Sequence, residues 1–172
     1  MTLPGIGPNS CMLAAIDGST LAETALLTKG DTMEVNGIAH IFLTASNFER
    51  SRAFYRQLLP FLGLKPVMDN EGVYYCVGGR TAVGIRAPSP EHAGASFEQD
   101  RAGLHHLCFR ARSRADVDEL HAFLGTLGAN IIRAPREDQW APGYYSLLFE
   151  DPDGIRLELN HVPGKGLLER DK

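Results

Sequence analysis

His40, His106 and Glu158 are the residues of this chain whose types and places could hold a divalent metal ion. His40 lies in Gly37-Ile-Ala-His-Ile-Phe-Leu-Thr-Ala-Ser46, and a segment of the same kind returns as Gly103-Leu-His-His-Leu-Cys-Phe-Arg-Ala-Arg112, with His106 at the matching place. Glu158 sits in Ile155-Arg-Leu-Glu-Leu-Asn160, a carboxylate flanked by leucines. Strand alternation puts Ile155, Leu157 and Leu159 on one face and Arg156, Glu158 and Asn160 on the other. The same rule sets His40 and Phe42 against Ile41 and Leu43, and His106 and Cys108 against Leu107 and Phe109. Burying a lone carboxylate is costly, so Glu158 requires a cationic partner. Two neutral imidazoles and a carboxylate form a ligand set for a first-row divalent ion, with positions left open for substrate. The plain alternative for any one of them is a solvated pair, Glu158 with Arg156 or Arg86, and histidines that merely pack. Three such residues in a duplicated unit favour the metal.

The elements that must position these side chains repeat as well. Each copy opens with a short alternating segment, then a polar cap, Ser46-x-x-Glu49 or Ser113-x-x-Asp116, then apolar residues at helical spacing. Phe54, Leu58 and Phe61 in one copy answer to Leu120, Leu124 and Leu127 in the other, and Gly63 and Gly128 are placed to end the helices. Three β-type segments follow each helix: Leu64–Met68, Gly72–Val77 and Thr81–Arg86, then Ala129–Ala134, Tyr144–Glu150 and Ile155–Asn160. Asp151-Pro-Asp-Gly154 reads as a tight structural turn. The fold class is α+β: two tandem βαβββ modules whose curved mixed sheet surrounds a metal or ligand cavity, helices outside. The divisions are an N-terminal extension over 1–33 with a short helix near Thr20-Leu-Ala-Glu23, modules over 34–86 and 103–163, a linker over 87–102 and a tail over 164–172.

Composition narrows the partners. The 172 residues, 44% hydrophobic and 22% charged, are enough for one well-buried domain. A formal net charge of -4, without a long Lys/Arg run, argues against nucleic acid or an anionic membrane surface. No apolar stretch has membrane-spanning length, and Cys11, Cys76 and Cys108 have neither disulfide-framework nor zinc-knuckle spacing, so a reducing cytoplasm is the expected location. Tyr144 and Tyr145 follow the loop Trp140-Ala-Pro-Gly143, and one of the two hydroxyls is a candidate catalytic donor into the cavity. His105, by alternation, turns away from His106.

Gly103-Leu-His-His-Leu-Cys-Phe109 and Gly143-Tyr-Tyr-Ser-Leu-Leu-Phe-Glu-Asp-Pro-Asp-Gly-Ile-Arg-Leu-Glu158, with Ala53-Phe-Tyr55 as a weaker echo, resemble the vicinal oxygen chelate superfamily over about Met33 to Pro163. That superfamily includes glyoxalase I, fosfomycin-resistance proteins, bleomycin-resistance proteins and extradiol dioxygenases. The resemblance implies a metal held by residues from the first and last strands of both modules, and His40, His106 and Glu158 match three of its four places. The fourth falls near Val83-Gly84-Ile85, which offers no ligand, and this weakens a glyoxalase I reading. What is implied is a homodimeric metalloenzyme that takes a small substrate through vicinal oxygens on Fe2+, Mn2+, Zn2+ or Ni2+, by extradiol dioxygenase-like or fosfomycin-type chemistry. The alternative is a metal-free protein that sequesters a drug or metabolite, as bleomycin-resistance proteins do. The resemblance leaves open whether the site forms within one chain or with His40 supplied by a second.

Overall fold

The computed structural model describes residues 35–164, so the expected N-terminal helix and the C-terminal tail lie outside the described residues. Two copies of one unit follow each other. The first is β1 (Ile41–Thr44), α1 (Phe48–Phe61), β2 (Lys65–Asp69), β3 (Val73–Gly78) and β4 (Thr81–Arg86). The second is β5 (Leu107–Arg110), α2 (Arg114–Leu127), β6 (Asn130–Glu137), β7 (Tyr145–Glu150) and β8 (Arg156–His161). Each forms its own four-stranded mixed sheet, in the orders β1-β4-β3-β2 and β5-β8-β7-β6. In both, the first strand lies parallel to the last, while the three that follow the helix form an antiparallel meander. The fold is α+β in two tandem βαβββ modules, as expected, each contributing a four-stranded mixed sheet.

The helices form for local reasons. Ser113 Oγ accepts the Asp116 N–H while the Asp116 carboxylate takes the Ser113 N–H, a reciprocal capping box at the start of α2. Gly128, at φ 64°, closes that helix in the left-handed region. Val117, Leu120 and Leu124 recur along one face of α2 and are fully buried, each such side chain contributing about 2 kcal/mol of hydrophobic stabilisation. α1 departs from expectation at its start. Its N-cap is Asn47, whose side chain accepts the Arg50 N–H, and not Ser46. Ser46 is engaged elsewhere, giving both its N–H and its hydroxyl to Asp153 of the second module. β6 also runs past its expected end at Ala134, because it is an edge strand with two register irregularities and can carry Pro135 without losing a ladder partner on both sides.

One core serves both modules. Tyr55, Leu58, Leu59, Tyr74 and Ile85 from the first share a buried cluster with Leu120, Leu124, Leu147, Phe149 and Leu157 from the second, and the Phe61 and Phe123 rings stack at 3.9 Å between the helices. The Asp151-Pro-Asp-Gly154 turn ties the modules together. Asp151 Oδ1 accepts the N–H groups of Asp153 and Ile155, and Oδ2 accepts the Tyr55 hydroxyl at 2.8 Å. Asp153 receives Ser46, Ser51 and Arg50, setting a negative charge at the start of α1 where the helix dipole favours it.

Burial, with the Asp151 carboxylate adding to it, holds the Tyr55 phenol well above its usual value of about 10. The folded chain therefore keeps this proton at a pH where an unfolded chain has begun to lose it, and stability falls as pH rises past about 10. Urea midpoints measured at stepped alkaline pH should decline for the native chain and decline less for Tyr55→Phe. Equal slopes would remove Tyr55 as a source; Tyr74 and Tyr144, both raised mainly by burial, and Tyr145, raised by its bond to Asp118, contribute to the remainder.

Candidate metal centre

β5 and β8 are parallel neighbours with Cys108 opposite Glu158, so the residue two places upstream of Cys108 reaches the carboxylate. His106 Nε2 lies 3.3 Å from Glu158 Oε2. Glu158 is only 6% exposed, yet its side chain leaves the core and faces a cavity of about 1010 Å³. Its other oxygen accepts the Tyr144 hydroxyl at 2.6 Å, and Asn160 Nδ2 donates to that hydroxyl at 2.9 Å. Burial above all, with Glu158 adding to it and Asn160 opposing, holds the Tyr144 phenol above its ordinary range. The Cys108 thiol is pushed up to about 12, first by burial and second by Glu158.

The cation beside Glu158 is Arg133, at 3.8 Å, and neither Arg156 nor Arg86. Arg156 turns to Glu150 at 4.0 Å. Arg133 also donates to the buried Ser146 hydroxyl at 2.9 Å and pairs with Asp138, which in turn takes Arg136. These residues carry no motif. Arg133 reaches the site because it pairs with Leu148 in β7, which pairs with Glu158 in β8, a row set by strand register alone. Trp140, 75% exposed, stands at the cavity wall.

His105 does not turn away. β5 begins only at Leu107, so alternation does not govern the pair before it, and His105 lines the cavity with its Nδ1 2.7 Å from His106 Nδ1. The two tyrosines separate. Tyr144 faces Glu158, whereas Tyr145 points to the helix side, donating to Asp118 at 2.7 Å beneath the Arg114 guanidinium, and takes no part in the cavity.

His40 stands apart. It is exposed, one residue ahead of β1, with its ring edge-on to Phe42 at 5.8 Å. Every residue lining the cavity belongs to the second module, and among the described residues no group of three His, Cys, Asp or Glu side chains is gathered as for a metal ion. Of the three residues the sequence singled out, His106 and Glu158 meet at this cavity within one chain and His40 does not. The first module's corresponding face is aromatic. Gly84 faces Phe42 across β1 and β4 as Glu158 faces Cys108 across β5 and β8, and a Cβ on Gly84 would collide with the Phe42 ring. That ring, 46% exposed, stacks on Tyr75 at 5.3 Å with 6° between planes. No helix among the described residues is long and apolar enough to cross a membrane.

Known proteins resemble this chain in sequence and fold. The chain is 31% identical over 122 residues to the uncharacterised protein YqjT of Bacillus subtilis (strain 168), covering 70% of this chain and 94% of that one. It is 25% identical over 126 residues to the metallothiol transferase FosB of Shouchella clausii (strain KSM-K16), covering 73% and 80%. A crystal structure of a Bacillus halodurans protein assigned as a glyoxalase superposes with a TM-score of 0.64 at 28% identity, over 74% of this chain and 96% of that one. The family model matches residues 37–159, from the segment of His40 through Glu158, and the chain belongs to the Glyoxalase/Bleomycin resistance protein/Dioxygenase superfamily.

Proposed function

We propose that this chain is a metal-dependent enzyme of the superfamily, acting on a small molecule that binds through two neighbouring oxygens. Its protein ligands are His106 and Glu158 of one copy and His40 of a second copy in a homodimer, and the ion is Fe2+, Mn2+, Zn2+ or Ni2+. The observation that carries the reading is Glu158, a carboxylate among leucines, aimed into a large cavity 3.3 Å from an imidazole nitrogen. A divalent ion bound there would supply Lewis acidity and a template for the substrate oxygens. Tyr144, held by Asn160, fixes the carboxylate from the other side. Likeness to a metallothiol transferase supports thiol transfer of the fosfomycin type, the family description keeps extradiol cleavage beside it, and the glycine at position 84 speaks against glyoxalase I chemistry.

The second copy is invoked because His40 and the cavity lie on faces that one chain leaves open. Phe42, Met68 and Val77 make the first module's open face apolar and exposed, a surface that favours coverage. The site is then tested by complementation. His106→Ala should bind no stoichiometric transition metal, and His40→Ala should bind it at least tenfold more weakly than the native chain. When the two variants are unfolded together and refolded, mixed dimers carry one intact ligand set, so tight sites reappear at about a quarter of the native number under random pairing. No recovery places all ligands in one chain. Absence of tight metal binding by the native chain ends the enzyme reading and favours a metal-free sequestering protein, for which the Phe42–Tyr75 stack is the natural binding face.

A further inference from the structure

His105 is the cavity residue for which neither the fold nor the proposed ligand set accounts. It precedes β5, its side chain is exposed, and nothing in the core leans on it. Its backbone is nevertheless held: Gln99 Nε2 donates to the His105 carbonyl at 2.5 Å, and Gln99 Oε1 is buried. With the backbone held, its ring stands edge-on to that of His106, centroids 5.0 Å apart and planes at 78°, with the two Nδ1 atoms 2.7 Å apart.

An Nδ1–Nδ1 separation of that length is a hydrogen bond with one proton in it. Two arrangements of two neutral rings satisfy it. In one, His105 donates, and the proton of His106 sits on Nε2, facing the Glu158 carboxylate. In the other, His106 donates from Nδ1, and its Nε2 lone pair is free to face the same side. The second is the one a metal ligand needs, since which ring nitrogen is free is set by the bond the other makes. The two arrangements contain the same number of protons, so passing from one to the other exchanges tautomers in both rings and releases nothing from the pair.

We infer that His105 is a positioning residue for His106: it accepts the Nδ1 proton of its neighbour and so presents Nε2 to the metal. This deepens the proposed metal site and rests on it. A metal-ligating imidazole usually gives its second N–H to a carboxylate or a carbonyl, and a histidine in that place offers a partner that can exchange donor and acceptor roles.

Zinc, being diamagnetic, allows the test on the full-length chain by nitrogen-15 NMR of the histidine rings with zinc titration. Zinc-loaded protein should show His106 protonated at Nδ1, with a through-hydrogen-bond coupling to His105 Nδ1. His105→Ala should weaken zinc binding about 10- to 100-fold and erase that coupling, with the circular dichroism spectrum unchanged. His105→Asn, which keeps an acceptor oxygen, should recover part of the affinity. An affinity within twofold of native in His105→Ala, or a zinc-bound His106 with no coupling to His105, overturns the inference while leaving the site intact. Failure of the native chain to bind zinc, iron, manganese or nickel overturns the site itself, and the inference with it.

Discussion

Glu158→Gln is expected to abolish most of the rise in Tm that a divalent transition metal gives the native chain. The substitution keeps the shape of the side chain and an oxygen for the Tyr144 hydroxyl, and removes the charge that draws the ion. At a metal concentration a thousand times Kd, binding stabilises the folded state by about 4 kcal/mol. A hundredfold loss of affinity leaves about 1.4 kcal/mol at the same concentration. For a chain of this size each kcal/mol moves Tm by about 2–4 °C, so the difference is readily seen by scanning calorimetry. Without metal the variant should lie within about 1 kcal/mol of native stability, because Arg133 retains Asp138 and Ser146 as partners. The same metal-induced rise in both proteins would show that Glu158 is not a ligand.

Asp151→Ala carries the largest stability effect expected away from the cavity. It strands the buried Tyr55 hydroxyl and the N–H groups of Asp153 and Ile155 together, three donors that have no other acceptor in their turn. A buried donor left unpaired costs about 1–3 kcal/mol, so a loss of about 3 kcal/mol or more is expected in urea denaturation, after partial hydration of the turn. Asp151→Asn keeps an oxygen for the two N–H groups and presents an amide that the Tyr55 hydroxyl can accept from, and should cost about 1 kcal/mol. A loss below about 1 kcal/mol for the alanine variant would mean that the turn does not hold the modules together.

The repeat was legible in the sequence because each unit writes its own instructions locally. Ser113 and Asp116 announce the start of α2 and Gly128 its end, and alternation in Ile155–Asn160 separates the leucines from Glu158, as the structure has it. Such signals involve residues a few positions apart, where geometry is set by bond lengths and dihedral preferences. They failed where a distant group intervened. Ser46 had the form of a cap but was taken by Asp153, and Asn47 capped instead. Alternation failed for His105 because it was applied to residues ahead of the strand, where no ladder enforces it.

The sequence by itself determined that this chain makes two βαβββ units and that Glu158 lies opposite the leucines of its strand, because period and capping are properties of neighbouring residues. Only the tertiary structure decided between the tyrosines, brought in Arg133 and His105, laid Phe42 over Gly84 and set His40 apart on the first module's open face. Those outcomes depend on strand register and on which sheet faces meet. A single step of register moves every side chain of a strand to the opposite face, and the energy that selects the step comes from burial against residues far along the chain.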